Sequence, residues 1–225
     1  MPGARSSMKV LLVEDDAGLR EGMAELISEL VEVREASSVA QAQRALGEEL
    51  FALVLTDLRI GDTGSGGRVI LEAARKRLLP VAIVSASATE EVLKMLAPHV
   101  PDAVLTKPFQ LEDMLALVER FVALRREVAR RAAGPVPAES AWTEAATPGV
   151  RLAQGADGGE WLRLAPGAAH APCARDPRLG MMLLEGSLEV EGESRGREQY
   201  LFLSAGPREV RTQEGCLAVS LPLRA

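Results

Sequence analysis

The first half of the chain alternates short, nearly continuous apolar runs with longer stretches whose apolar residues recur at helical spacing. The runs are Lys9–Val13 (KVLLV), 31–34, 52–56 (ALVLT), Val81–Ser85 (VAIVS) and Ala103–Thr106. Between and after them, helices are expected over 19–30, 39–50 with Ser38 as its cap, 68–77, 90–96 and 111–130. Strands that are apolar on both sides and separated by amphipathic helices predict a parallel sheet covered on both faces. In such a sheet the ligand site lies beyond the carboxyl ends of the strands.

The last third reads differently. Short strand candidates at 161–164, 181–184, 187–190, 200–203, 209–212 and 217–221 are separated by turn pairs such as Pro166-Gly167 and Glu185-Gly186. That rhythm predicts an antiparallel sandwich or barrel. A helix-turn-helix is hard to place, because no long helical period appears. Residues 131–149 are rich in Ala and Pro and read as a linker between domains 1–130 and 150–225, with Trp142 as a side chain expected to dock on one of them.

Composition narrows the function classes. A length of 225 residues allows one or two domains. Aromatics at 3% disfavour stacking platforms for single-stranded nucleic acid, and the net charge of −6 argues against a chain that wraps DNA. Residues 1–130 hold 16 basic and 20 acidic side chains, whereas 150–225 hold nine arginines and ten acids. No apolar run suggests a membrane span or a secretory signal, and two cysteines, Cys173 and Cys216, make no disulfide framework. A cytoplasmic protein that binds neither DNA nor membrane is the expectation.

The strand ends carry the chemistry. The first ends in Glu14-Asp15-Asp16, the third in Asp57, the fourth in Ser85-Ala86 and the fifth in Lys107-Pro108. Carboxylates gathered at one edge repel one another, and a hard, oxygen-seeking ion such as Mg²⁺ resolves that while keeping positions open for a phosphoryl group. A lysine and a hydroxyl opposite an aspartate suit an acyl phosphate: the ammonium offsets charge and the hydroxyl donates to an oxygen.

VLLVEDD, LVLTDL, VAIVSAS and LTKPF, in that order and spacing, resemble the receiver domain of two-component response regulators over residues 8–125. The resemblance implies a flavodoxin-like, doubly wound five-stranded sheet. It implies that Asp57 accepts a phosphoryl group from a sensor histidine kinase, and that Glu14, Asp15, Asp57 and the backbone carbonyl of Arg59 hold Mg²⁺. Lys107 would contact the phosphoryl group, and Ser85 would be the hydroxyl that swings toward it. Two departures stand out: Val104 occupies the position of the usual aromatic switch residue, and the loop RIGDTGSGG lacks the usual proline and is about two residues longer.

Residues 150–222 resemble a small cupin-type β-barrel in their strand and turn pattern. The positions where that family places metal ligands hold Cys173, Arg175, Leu179 or Gly180, and Glu209, so no metal site is expected there. His170, Cys173 and Glu209 can ligate metals, but in an unfamiliar spacing. Arg175 and Arg208 are candidate anion-facing groups. The last receiver helix ends in Arg125, Arg126, Arg130 and Arg131, a candidate surface for a partner or a second copy. The expectation is a phosphoacceptor signalling protein, not an enzyme, whose cupin-like output domain meets an unidentified protein partner. The alternatives are a phosphorylation-independent scaffold and a receiver-regulated cupin with a ligand or an activity of its own.

Overall fold

The computed structural model describes residues 8–61, 64–155, 159–171, 178–204 and 208–223. The chain forms two compact units that divide between Val122 and Ala123.

In the first unit, strands β1 (Lys9–Val13), β2 (Glu32–Ala36), β3 (Leu53–Asp57), β4 (Val81–Ser85) and β5 (Ala103–Thr106) form one sheet in the order β2-β1-β3-β4-β5. All its pairings are parallel. The apolar runs are strands because they are buried on both sides: Val10 to Val13, Leu53 to Leu55 and Val81 to Val84 are at most 1% exposed. Helices α1 (Ala17–Ser28), α2 (Val39–Glu48), α3 (Gly66–Lys76), α4 (Thr89–Leu96) and α5 (Leu111–Ala132) flank the sheet. The expected cap at Ser38 is present, its Oγ accepting from Gln41 N–H at 3.3 Å, and Asp16 caps α1 by accepting from Leu19 N–H at 2.8 Å. The strand order reverses direction between β1 and β3, which places the crevice for a ligand at their carboxyl ends.

The opposite edge of the sheet carries a buried ion pair. Arg75 Nη1 lies 2.6 Å from Asp102 Oδ2, and the same oxygen accepts from Val81 N–H at 2.8 Å. Arg75 Nη2 donates to the Val100 carbonyl at 2.5 Å. The pair ties α3 to the starts of β4 and β5, away from the strand ends that hold the chemistry.

The second unit is antiparallel. Strands β6 (Thr143–Glu144), β7 (Val150–Gln154), β8 (Glu160–Leu164), β10 (Leu179–Gly186), β13 (Tyr200–Leu203) and β15 (Cys216–Pro222) form a six-stranded sheet in the order β13-β10-β15-β8-β7-β6. A second sheet runs β12-β11-β14-β9, from β12 (Glu193–Arg195), β11 (Leu188–Val190), β14 (Val210–Arg211) and β9 (Ala169–His170). The register of β10 against β15 shifts between Leu183 and Glu185. Directly after it, Gly186 has φ +70°, and a Cβ there would meet the Gly215 carbonyl oxygen at 1.9 Å, so only glycine fits.

Antiparallel sheets after residue 150 agree with the sequence expectation. Three details differ. The division falls inside α5, whose residues 123–132 belong to the second unit. Within the segment read as a linker, residues 143–144 pair with β7, whereas Trp142 docks as expected, against Ala153, Trp161, Leu217 and Val219. Strands β7, β9 and β12 had no counterpart in the sequence reading. No helix among the described residues is long and apolar enough to cross a membrane.

Candidate functional site

Four strand ends of the first unit deliver the expected residues to one edge. Glu14 follows β1 and is only 3% exposed, Asp57 closes β3, Ser85 closes β4, and Lys107 follows β5. One carboxylate oxygen from each of Glu14, Asp15 and Asp57 lies within 4.8 Å of the others. Lys107 Nζ reaches into this group, 3.0 Å from Glu14 Oε2 and 3.7 Å from Asp57 Oδ1.

Local hydrogen bonds set each side chain. Asp57 Oδ1 accepts from Leu58 N–H at 2.8 Å, and Asp15 Oδ2 accepts from Gly61 N–H at 3.1 Å, tying the loop after β3 to the end of β1. Asp16, the third acid of the run, is used as the α1 cap, while its N–H donates to Glu14 Oε1 at 3.3 Å. Ser85 is buried, and its Oγ accepts from Ser87 N–H at 3.0 Å. The strand-to-loop turn at Lys107 is pinned by its N–H donating to the Ser85 carbonyl at 2.7 Å. Arg59 is exposed on the loop, and Val104 is half-buried against the core.

Electrostatics follow from this geometry. Burial pushes the Glu14 carboxyl above its ordinary range, the Lys107 ammonium pulls it back down, and the nearby Asp57 charge pushes it up again. A buried carboxylate held beside two others is short of positive charge, and one lysine supplies only part of it. Three carboxylates with no nitrogen or sulfur donor suit a hard divalent cation that keeps some of its waters.

Two features of the site were not foreseen. Arg20, one turn into α1, donates from Nη1 to the Glu14 carbonyl at 2.9 Å and pairs with Glu35 at 3.4 Å, bracing the end of β1. Nothing in the periodicity marks that residue. Gly66 and Gly67 let the start of α3 press against the loop after Asp57: a Cβ on Gly67 would meet the Asp57 carbonyl oxygen at 2.5 Å. Consecutive glycines after an acidic strand end were a usable signal for such an approach.

Residues 10–119 match the family model described as the response regulator receiver domain. This segment is a receiver domain. The chain is 34% identical over 139 residues to the response regulator protein FleR of Pseudomonas aeruginosa, covering 59% of this chain and 28% of that protein. It is 30% identical over 129 residues to the response regulator protein PilR of the same organism, covering 56% and 29%. The chain thus spans under a third of the length of these curated relatives. A CheY-like receiver domain structure from Methanospirillum hungatei is 23% identical, with a TM-score of 0.48, covering 54% of this chain and 99% of that one.

Of the groups considered for metal or anion binding in the second unit, His170, Arg208 and Glu209 lie among the described residues. Among the described residues, Glu14, Asp15 and Asp57 form the one cluster of three metal-binding side chains, and it includes neither His170 nor Glu209. Glu209 is paired with Arg211, and Arg208 Nη1 is 2.5 Å from Glu191 Oε2, which occupies a group expected to face an anion. Cys173 and Arg175 lie outside the described residues.

Proposed function

We propose that the protein is a phosphoacceptor of two-component signalling, in which Asp57 takes a phosphoryl group from a phosphohistidine of a sensor histidine kinase. The observation that carries this reading is the meeting of Glu14, Asp15 and Asp57 with Lys107 at the carboxyl edge of a receiver sheet. An Asp57 carboxylate oxygen attacks phosphorus in line with the bond to the imidazole nitrogen. That P–N bond breaks, its electron pair returns to the ring, and an acyl phosphate remains on Asp57.

The chain's own residues have separable tasks. Glu14 and Asp15, with Asp57 and the Arg59 carbonyl, would hold Mg²⁺, whose chemistry there is to neutralise charge shared by carboxylates and phosphoryl oxygens. Lys107, already 3.7 Å from Asp57, offsets charge on the phosphoryl oxygens, and the Ser85 hydroxyl donates to one of them. Asp16 has no share in this, being committed to the α1 cap. Val104 brings no ring to follow the hydroxyl, so the readout of phosphorylation rests on β4, β5 and their loops moving without an aromatic switch.

The antiparallel second unit, read as cupin-like in its strand and turn pattern, serves as an output module for protein contact. The test is labelling with acetyl phosphate and Mg²⁺: wild type takes up one phosphoryl group and Asp57→Asn takes up none. Equal labelling of the two proteins would overturn the assignment and favour a phosphorylation-independent scaffold.

A further inference from the structure

The C-terminal end of α5 is part of the second unit, where it lies on the six-stranded sheet. Two glycines make the close approach feasible. A Cβ on Gly180 would meet Tyr200 Oη at 2.7 Å and Leu124 Cγ at 3.1 Å, and one on Gly159 would meet Arg131 Nη1 at 2.7 Å. Ala132 packs against the cluster built on Trp142 and Trp161. This is a helix seated on an apolar sheet face, an arrangement that ordinarily buries aliphatic side chains.

Arg125 breaks that pattern. It is 7% exposed, its Nη1 is sealed from solvent without an acceptor, and no carboxylate among the described residues pairs with it. Its guanidinium lies 5.2 Å from the centre of the Tyr200 ring, itself buried. The other arginines of this helix end are accommodated differently: Arg130 and Arg131 both bond Glu127, and Arg126 is exposed. Burial lowers the Arg125 pKa from its ordinary value, the sign of a cation that water would hold better. An aromatic face returns less than the desolvation of a guanidinium costs, and apolar replacements of buried charges are often stabilising.

We propose that the seating of residues 123–132 of α5 on the six-stranded sheet is deliberately weak, a latch that Arg125 keeps ready to open while the sheet itself stays folded. Opening returns the guanidinium to water and uncovers Tyr200 and the neighbouring surface at Met182 and Leu184. The charge supplies the drive to open, and the stack on Tyr200 supplies the geometry to reclose. The latch belongs to the unmodified chain and does not depend on Asp57 being phosphorylated.

Amide hydrogen exchange on the full chain tests this. In wild type, the amides of residues 124–132 exchange faster than those of β8 and β15, by local opening. Arg125→Met, which keeps length and removes charge, slows exchange in 124–132 by about tenfold or more. Arg125→Lys, which keeps the charge and loses the planar stack, speeds it. Exchange in Arg125→Met that is unchanged or faster than wild type would overturn the latch. A failure of that variant to fold, seen as lost far-ultraviolet circular dichroism, counts against it equally, because it would make Arg125 a stabilising group.

Discussion

At the scale of single residues, the first unit holds two charge clusters with opposite logic. At the carboxyl edge, Glu14, Asp15 and Asp57 crowd negative charge that one lysine only partly balances, which is the basis of the proposed phosphoacceptor role. At the other edge, Arg75 and Asp102 pair with each other and are further hydrogen-bonded by backbone, so they hold structure. Asp102→Ala takes away the carboxylate 2.6 Å from a guanidinium that is about nine-tenths buried. The expected cost is about 3–5 kcal/mol, read as a lowered urea midpoint at pH 7. A loss under about 1 kcal/mol would mean that the pair is solvated like a surface bridge. The site residues were legible in the sequence because each stands at the end of an apolar run, where topology fixes its position. Arg20 and the Arg75–Asp102 pair were not: Arg20 bonds a main-chain carbonyl, which no side-chain pattern marks, and Asp102 lies far from Arg75 in sequence with no spacing that links them.

At the scale of elements, legibility depended on whether burial leaves a period. Strands β1, β3 and β4 are almost wholly apolar, and all five parallel strands are bounded by helices with a clear 3.6-residue rhythm, so all five were visible, to within a residue or two at their ends. In the six-stranded antiparallel sheet, β13 and nearly all of β15 are buried on both faces, which erases the alternation that usually marks one wet face. Strands β9 and β12 have two and three residues, too few for any period. The Ala/Pro-rich stretch illustrates the limit of composition: one tryptophan within it decides its structure. Trp142 is 7% exposed, donates from Nε1 to the Pro137 carbonyl at 3.2 Å, and lies 4.4 Å beneath the Arg163 guanidinium. Glu139 bonds Arg151 and Arg163 and so straps the preceding turn to the same face. Trp142→Ala should therefore cost about 3–5 kcal/mol in denaturant unfolding. It should also shift the emission of Trp161, the other tryptophan of the chain, to the red as its cover is lost. Unchanged Trp161 emission would mean that residues 133–144 behave as the flexible tether their composition suggested.

At the scale of the whole molecule, the sequence separated a helix-rich first half from a strand-rich second half. It could not see that α5 contributes residues to both units, because an uninterrupted helical period carries no mark where its neighbours change. A thiol reports on the stability of the second unit. Cys216 opens β15, is 6% exposed, and burial pushes its thiol up to about 11 from an ordinary value near 9.0, against a small opposing pull from the backbone at Leu164. Unfolding frees this thiol to ionise at its ordinary pKa, so between these two values the unfolded chain binds fewer protons than the folded one. The sign follows by linkage: the Cys216 contribution is intact below about pH 9 and is lost as pH rises toward 11. Two pKa units correspond to about 2–3 kcal/mol. Other groups titrate in the same range, so the informative quantity is the difference between wild type and Cys216→Ala, each unfolded in urea under reducing conditions at pH 7, 8, 9 and 11. The stability advantage of wild type over the variant should shrink by up to that amount from pH 9 to pH 11 and hold steady from pH 7 to pH 8. A pH-independent difference would place the Cys216 thiol in contact with water and remove it from the packed interior of the β unit.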